Sequence, residues 1–522
     1  MVTSHGPGVP VPPCETGAAC TRLGLTYARG EALPQSWSMA REMLVKGCRL
    51  GDGHGCVLGT LMTAFGVGGP RDDEKAAELA AKACELGERA SCAAAAPGGD
   101  TTPLVAVLQD SCDRANGFAC ALLAEAHREG LGAAMDKERA LALDEQACRM
   151  QVAVSCRISG DYRLRAASNA SERAHAEDLL RQACGLGDGA GCTSLAYALE
   201  RDPEPRDRKR ANSLYERGCV LGSGLGCHNL AFNFDRGDGV PQDLRRANML
   251  YEKGCNLGSG SACANLGFNA ETGRGQPKDL GRAHVLYGKG CDAEEGVACS
   301  NAALLYAKGT GLPQDWNKAN QLYEKACRLG NASGCGSLGV SYSNARGVAR
   351  DHVRANQLYE KACGLGKADA CENLGIQYAS GNAVDQDWAH ANELFQKACD
   401  MSEGRGCRDL GVSYQLGRGV GRDLPKAIAL FEKSCSLRHG AGCTALGNSY
   451  QNGDGVDLDA GRANAWLQKG CELGDGRGCY FLGQNIEIGV GGPASKASAG
   501  ALYEKACRLG HKSACPGDVP SR

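Results

Sequence analysis

Cysteine carries the most chemistry in this chain, which contains 30 of them. Twenty-eight fall into pairs eight positions apart: Cys48 and Cys56, Cys84 and Cys92, Cys112 and Cys120, Cys148 and Cys156, Cys184 and Cys192, Cys219 and Cys227, Cys255 and Cys263, Cys291 and Cys299, Cys327 and Cys335, Cys363 and Cys371, Cys399 and Cys407, Cys435 and Cys443, Cys471 and Cys479, Cys507 and Cys515. First members recur every 36 residues, apart from one step of 28 after Cys84 and one of 35 after Cys184. Cys14 and Cys20 remain, and Cys20 stands 36 before Cys56, in the second-member place of a fifteenth pair. Zinc sites favour closer spacing with four converging ligands, which pairs one repeat apart do not readily supply. Disulfide oxidoreductases use Cys-x-x-Cys. A structural disulfide within each pair is the expectation, Cys14–Cys20 included.

Other chemistry is sparse. A serine β-lactamase needs Ser-x-x-Lys or a comparable set, and no serine here has lysine three residues on. There is no Lys-Thr-Gly and no Gly-x-Ser-x-Gly. The ten histidines are scattered, without His-x-x-x-His or His-x-His. No catalytic residue, metal ligand or cofactor site announces itself, and no cofactor is expected. Asparagine recurs seven residues before the first cysteine, at Asn212, Asn248, Asn320, Asn356, Asn392 and Asn464. These six form a candidate ladder for an extended peptide or glycan, or else a solvated or inter-repeat helix flank. Tyr215, Tyr251, Tyr287, Tyr323 and Tyr359, at −4, read as core. The run RDRKR at 206–210 reads as an exposed first turn.

A fixed period of this size means stacked supersecondary units. Counting from the second cysteine, Leu338, Gly339 and Tyr342 stand at +3, +4 and +7, one face of a helix A. The same offsets hold Leu374, Gly375 and Tyr378, then Leu410, Gly411 and Tyr414. A glycine-rich stop follows, and then helix B. Its capping residue lies twelve positions before the first cysteine: Asp72, Asp100, Asp136, Asp207, Asp243, Asp279, Asp315, Asp351, Asp387, Asp423 and Asp459, with Ser36, Ser495 and Glu172 in three units. Ala355, Leu358, Tyr359 and Ala362 then form a helical stripe. Each cysteine pair thus spans the end of helix B and the start of the next helix A. Glycine at 74 positions and aromatics at 5% leave a thin core, and a short disulfide loop removes roughly 2–3 kcal/mol of unfolded-state freedom.

The string GVARDHVRANQLYEKACGLGKADACENLGIQYASG resembles the Sel1-like repeat, a relative of the tetratricopeptide repeat. The marks are the glycine-rich loop, Asp-x-x-x-Ala, Leu-Tyr-Glu-Lys-Ala and Leu-Gly-x-x-Tyr. With its cysteine pairs the chain is similar to the cysteine-rich Sel1-like proteins typified by those of Helicobacter, over about residues 20–515. The resemblance implies an all-α fold: an α/α solenoid, a right-handed superhelix of about 14 two-helix repeats stapled by one disulfide per unit. Residues 1–19 are expected to be a Gly/Pro-rich lead-in, 20–183 irregular repeats with a truncated helix A and a seam near 92–104, 184–515 regular repeats, and 516–522 a tail.

The expected function is a non-enzymatic scaffold that binds a protein or peptide on a concave helical surface. The alternative, weak β-lactamase or penicillin-binding activity, is implied by the resemblance alone. A net charge of −2 gives no field for nucleic acid, and no apolar run is long enough to span a bilayer. Regular cysteine pairs call for an oxidising space, so a periplasmic or secreted location is expected, although MVTSHGPGVPVPPCETG shows no signal-peptide pattern.

Overall fold

Pairs of helices of about 13 residues repeat along the computed structural model, which describes residues 13–29, 36–96, 98–200 and 205–515. Residues 1–12 of the expected lead-in 1–19 and the tail at 516–522 lie outside the described residues, and the first helix, Gly17–Arg29, begins within the expected lead-in. Among the described residues there are 27 α-helices, two short 3₁₀ segments and no strand. The protein is an all-α solenoid of two-helix repeats. Contacts gather into two bodies, one ending at Ala293 and the other starting at Glu294. Among the described residues of each body, every substantial helix contact runs to the first or second neighbour along the chain.

Helix B starts where a carboxylate can satisfy the free N–H groups of its first turn. Asp72, Asp136, Asp243, Asp279, Asp315, Asp351, Asp387, Asp423 and Asp459 each accept from the N–H three residues on, at 2.8–3.0 Å. Ser36 and Ser495 do the same at 3.3 Å. Three expected caps are corrected. Asp100 lies one residue outside the cap and accepts from Thr102 N–H, so helix Thr102–Asp113 has no side-chain cap. Glu172 is inside its helix: Asn169 caps helix Ala170–Gly185 by accepting from the N–H of Glu172, and the Glu172 carboxylate reaches back to accept from the N–H of Ser168, one residue before the cap. Asp207 falls within helix Pro205–Val220.

Helix A and helix B of one unit meet at a glycine and a ring. A Cβ on Gly267 would stand 2.8 Å from the ring of Tyr287, and one on Gly339 2.7 Å from that of Tyr359. Gly375 meets Phe395 and Gly411 meets Phe431 in the same way, both at 2.6 Å. The absent side chain lets the ring lie against the helix backbone. The whole −4 column is buried, Tyr215, Tyr251 and Tyr287 at 0%, Tyr323 at 3% and Tyr359 at 2% exposure, and where the ring is Tyr215, Tyr251 or Tyr323 the small residue at +4 is Ala196, Ala231 or Ala303 instead of glycine. The column continues through Phe395 and Phe431 to Leu467.

One unit is cut short. After Cys84 only a 3₁₀ segment, Arg89–Ala94, stands where helix A would be, and helix Thr102–Asp113 follows directly. The sequence CAAAAPGGD has too few residues for a helix and its connecting loop. After Cys156, by contrast, a full helix forms over Ala153–Ala166 without the Leu-Gly-Tyr face.

Candidate functional site

The cysteines are positioned by helix ends. In the regular units the first sits in the last turn of helix B and the second in the first turn of the next helix A, whereas Cys14 precedes the first helix, Cys92 lies in the 3₁₀ segment Arg89–Ala94 and Cys515 follows the 3₁₀ segment Lys512–Ala514. Fourteen pairs, Cys14–Cys20 among them, form disulfides with Cα atoms 4.3–5.1 Å apart. Cys291 and Cys299 are disulfide-bonded as well, and no described cysteine is free. Their role is to hold consecutive helices at the junction.

The six asparagines are tied into the fold. Each donates Nδ2–H to a backbone carbonyl 26 residues on: Asn212 to Asp238, Asn248 to Arg274, Asn320 to Arg346, Asn356 to Asn382, Asn392 to Arg418 and Asn464 to Val490, at 2.7–3.1 Å. Asn464 is half-buried and the other five are buried. These six amides therefore clamp the glycine-rich loop that follows the next helix A. Their other atom divides the units. Oδ1 of Asn212, Asn248 and Asn464 accepts from Asn233, Asn269 and Asn485, each at 2.8 Å. Ser341, Gln377 and Ser413 take that place in the other three, and Oδ1 of Asn320, Asn356 and Asn392 has no hydrogen-bond partner.

A second column faces outward. Five residues after the second cysteine stand Tyr197, Phe232 and Phe268 in the first body, and Leu304, Val340, Ile376 and Val412 in the second. None is buried, and Tyr197, Phe268 and Leu304 are 50%, 47% and 38% exposed. Apolar side chains recur at this incompletely buried position in seven successive A helices, from Tyr197 to Val412, before Asn448 and Gln484 replace them, and such a run marks a contact surface. The 36-residue period would have revealed this column had it been followed at +5.

In the second body this surface dips into a cleft of about 520 Å³ beside helices Gly296–Lys308, Ala332–Asn344 and Ala368–Ser380. Leu304, Trp316, Tyr323 and Val340 supply apolar wall, Ser337 and Ser341 hydroxyls, and Lys308, Arg346 and Lys367 positive charge. The Arg346 guanidinium lies 5.3 Å from the Trp316 ring centre. Lys367 is paired with Asp369 at 3.4 Å.

Next along the same helices is a buried charged cluster. Glu372 is fully buried and receives Arg405 at 2.7 Å. Burial pushes its carboxyl up to about 7, against the pull of Arg405 and with the help of nearby Asp409. Asp409 is also raised by burial, although Arg408 pairs with it at 2.7 Å. His439 is lowered by burial and by Arg408 and Arg405. In the first body Asp144 is similar: burial raises it to about 6 despite its pairing with Arg128. Among the described residues no group of three His, Cys, Asp or Glu is placed to hold a metal ion. No helix among them is long and apolar enough to cross a membrane.

A family model described as Sel1 repeat matches residues 17–52, 56–88, 117–152, 189–223, 224–259, 260–294, 296–331, 332–367, 368–403, 404–439, 440–475 and 476–511. Among solved structures, c5321, a protective antigen of uropathogenic Escherichia coli strains with an SLR fold, is similar at 20% identity, covering 78% of this chain and 89% of its own, with a TM-score of 0.58. A Sel1 repeat protein from Oxalobacter formigenes shares 24% identity over 59% of this chain and 90% of its own, with a TM-score of 0.46. Helicobacter pylori cysteine rich protein B shares 32% identity over 26% of this chain and 96% of its own, with a TM-score of 0.22. No curated protein matches the chain.

Proposed function

This chain belongs to the Sel1 repeat family, and we propose that it is a non-catalytic scaffold that binds a polypeptide along the exposed faces of its A helices. The observation that supports this is the recurring apolar column at +5, which stays open to solvent in both bodies. Residues of this kind cost solubility when exposed, and a protein-binding face is the usual reason for a contiguous set. The disulfides suit an oxidising compartment, which favours work in the periplasm or outside the cell. No observation favours the alternative, penicillin hydrolysis.

The test is selection from a displayed random-peptide library on the immobilised, oxidised protein. Enriched sequences are expected, and their binding is expected to fall on Leu304→Asp or Val340→Asp while helical circular dichroism is unchanged. A library that yields no sequence sensitive to either substitution removes the reading.

A further inference from the structure

We propose that the cleft beside Trp316 is a pocket for the free C-terminal carboxylate of a bound polypeptide and the apolar side chain next to it. The inference rests on the scaffold reading and adds to it the chemistry of the partner.

The cleft lies where one repeat is short of bulk at Gly336 and Ser341. The residue after the second cysteine is Thr193, His228, Ala264, Ser300, Glu372, Arg408, Thr444 or Tyr480 in the other units from Cys184 onward that have a helix A, and in this one it is Gly336, the smallest. A Cβ built there meets nothing nearer than 3.9 Å. At +6, Asn233, Asn269 and Asn485 fill the space beside the ladder, whereas Ser341 is shorter. That exchange leaves two buried polar atoms unmatched, Ser341 Oγ and Asn320 Oδ1. Ser341 is 1% exposed and lines the cleft. Buried polar groups are nearly always hydrogen-bonded, so a free donor on a cleft wall points to a ligand or water that completes it.

Charge selects the ligand. Among the described residues Lys308 and Arg346 have no carboxylate partner, whereas Lys367 is neutralised by Asp369. Two unspent cations beside an apolar wall of Leu304, Trp316 and Val340 suit an anion with an apolar body. A phosphate would satisfy the cations and leave that wall without a partner. A chain terminus brings a carboxylate and a side chain together, and a cleft of about 520 Å³ falls within the range of roughly 300–1,000 Å³ typical of ligand pockets.

The experiment titrates the full-length oxidised protein with fluorescein-labelled random octapeptides, once with free C-termini and once amidated. The free-acid mixture is expected to bind about tenfold more tightly at low salt, the worth of one charge-assisted contact. Lys308→Gln combined with Arg346→Gln should remove that difference. Gly336→Leu, which fills the cleft at a position open enough to fold, should weaken the free-acid mixture to the level of the amide. Equal binding of both mixtures to the parent protein overturns the carboxylate pocket and leaves the scaffold reading intact. Insensitivity to Gly336→Leu overturns the cleft as its location. Binding of neither mixture overturns both proposals.

Discussion

Gly375 lies under the ring of Phe395 so closely that a Cβ would come within 2.6 Å of Cε1. The contact joins helix A to helix B of one unit, and the same pairing recurs between Gly411 and Phe431. Gly375→Ala should therefore destabilise the protein by about 1–3 kcal/mol, because overpacking outweighs the gain in helix propensity. Gly336→Ala, in the preceding helix A and free of such a contact, should stabilise by roughly 0.5–1 kcal/mol. Urea midpoints of the two variants separate the cases.

Asn392 donates to the carbonyl of Arg418 at 2.7 Å from a buried position. Asn392→Ala should cost about 1–3 kcal/mol, since it leaves that carbonyl unpaired. Affinity for a selected peptide should not change. Denaturation and titration of the same preparation check both halves, and a loss of affinity at unchanged stability would restore the asparagines to the ligand.

Cys363 and Cys371 close a short loop between helices His352–Gly364 and Ala368–Ser380. Replacing both with alanine should lower stability by roughly 2–3 kcal/mol. Native protein unfolded in the presence of iodoacetamide should take up no label. Extensive labelling would argue for a reducing compartment.

Glu372 keeps its proton to about pH 7 in the folded chain, whereas an unfolded glutamate loses it near ~4.3. Between those values the folded state holds the extra proton. This group's contribution therefore falls as pH rises through that window, and the loss is complete above it. Arg405, Asp409 and Glu403 are the charges that act on it. Glu372→Gln should shrink the stability difference between about pH 5 and about pH 8, by on the order of a few kcal/mol at most. Urea unfolding at the two pH values measures it.

The regular parts of this fold were readable because each rests on a local rule. Asp351 caps helix His352–Gly364, and Leu338 and Gly339 lie on the inner face of helix Ala332–Asn344, because capping and helical periodicity need only neighbouring residues. The expectation failed where two local rules competed. Asn169 offered a cap three residues before Glu172, and the helix start uses both, with Glu172 accepting from Ser168 N–H. Asp100 follows a unit too short to hold helix A, which shifted its helix by one residue. The cleft was harder to see because it is made of what is missing. Gly336 and Ser341 are unremarkable residues until set beside His228 or Asn233 at the same register. The partner of Asn320 likewise lies 26 residues away, on a loop that sequence periodicity does not place in space.

Contacts that stop at the second neighbour make the chain editable. Removing or duplicating one 36-residue stretch, cut between the cysteines of successive pairs, rebuilds the same junction and disturbs no distant packing. The number of side chains offered to a partner is therefore counted in whole repeats, and recombination within the gene can change it one step at a time.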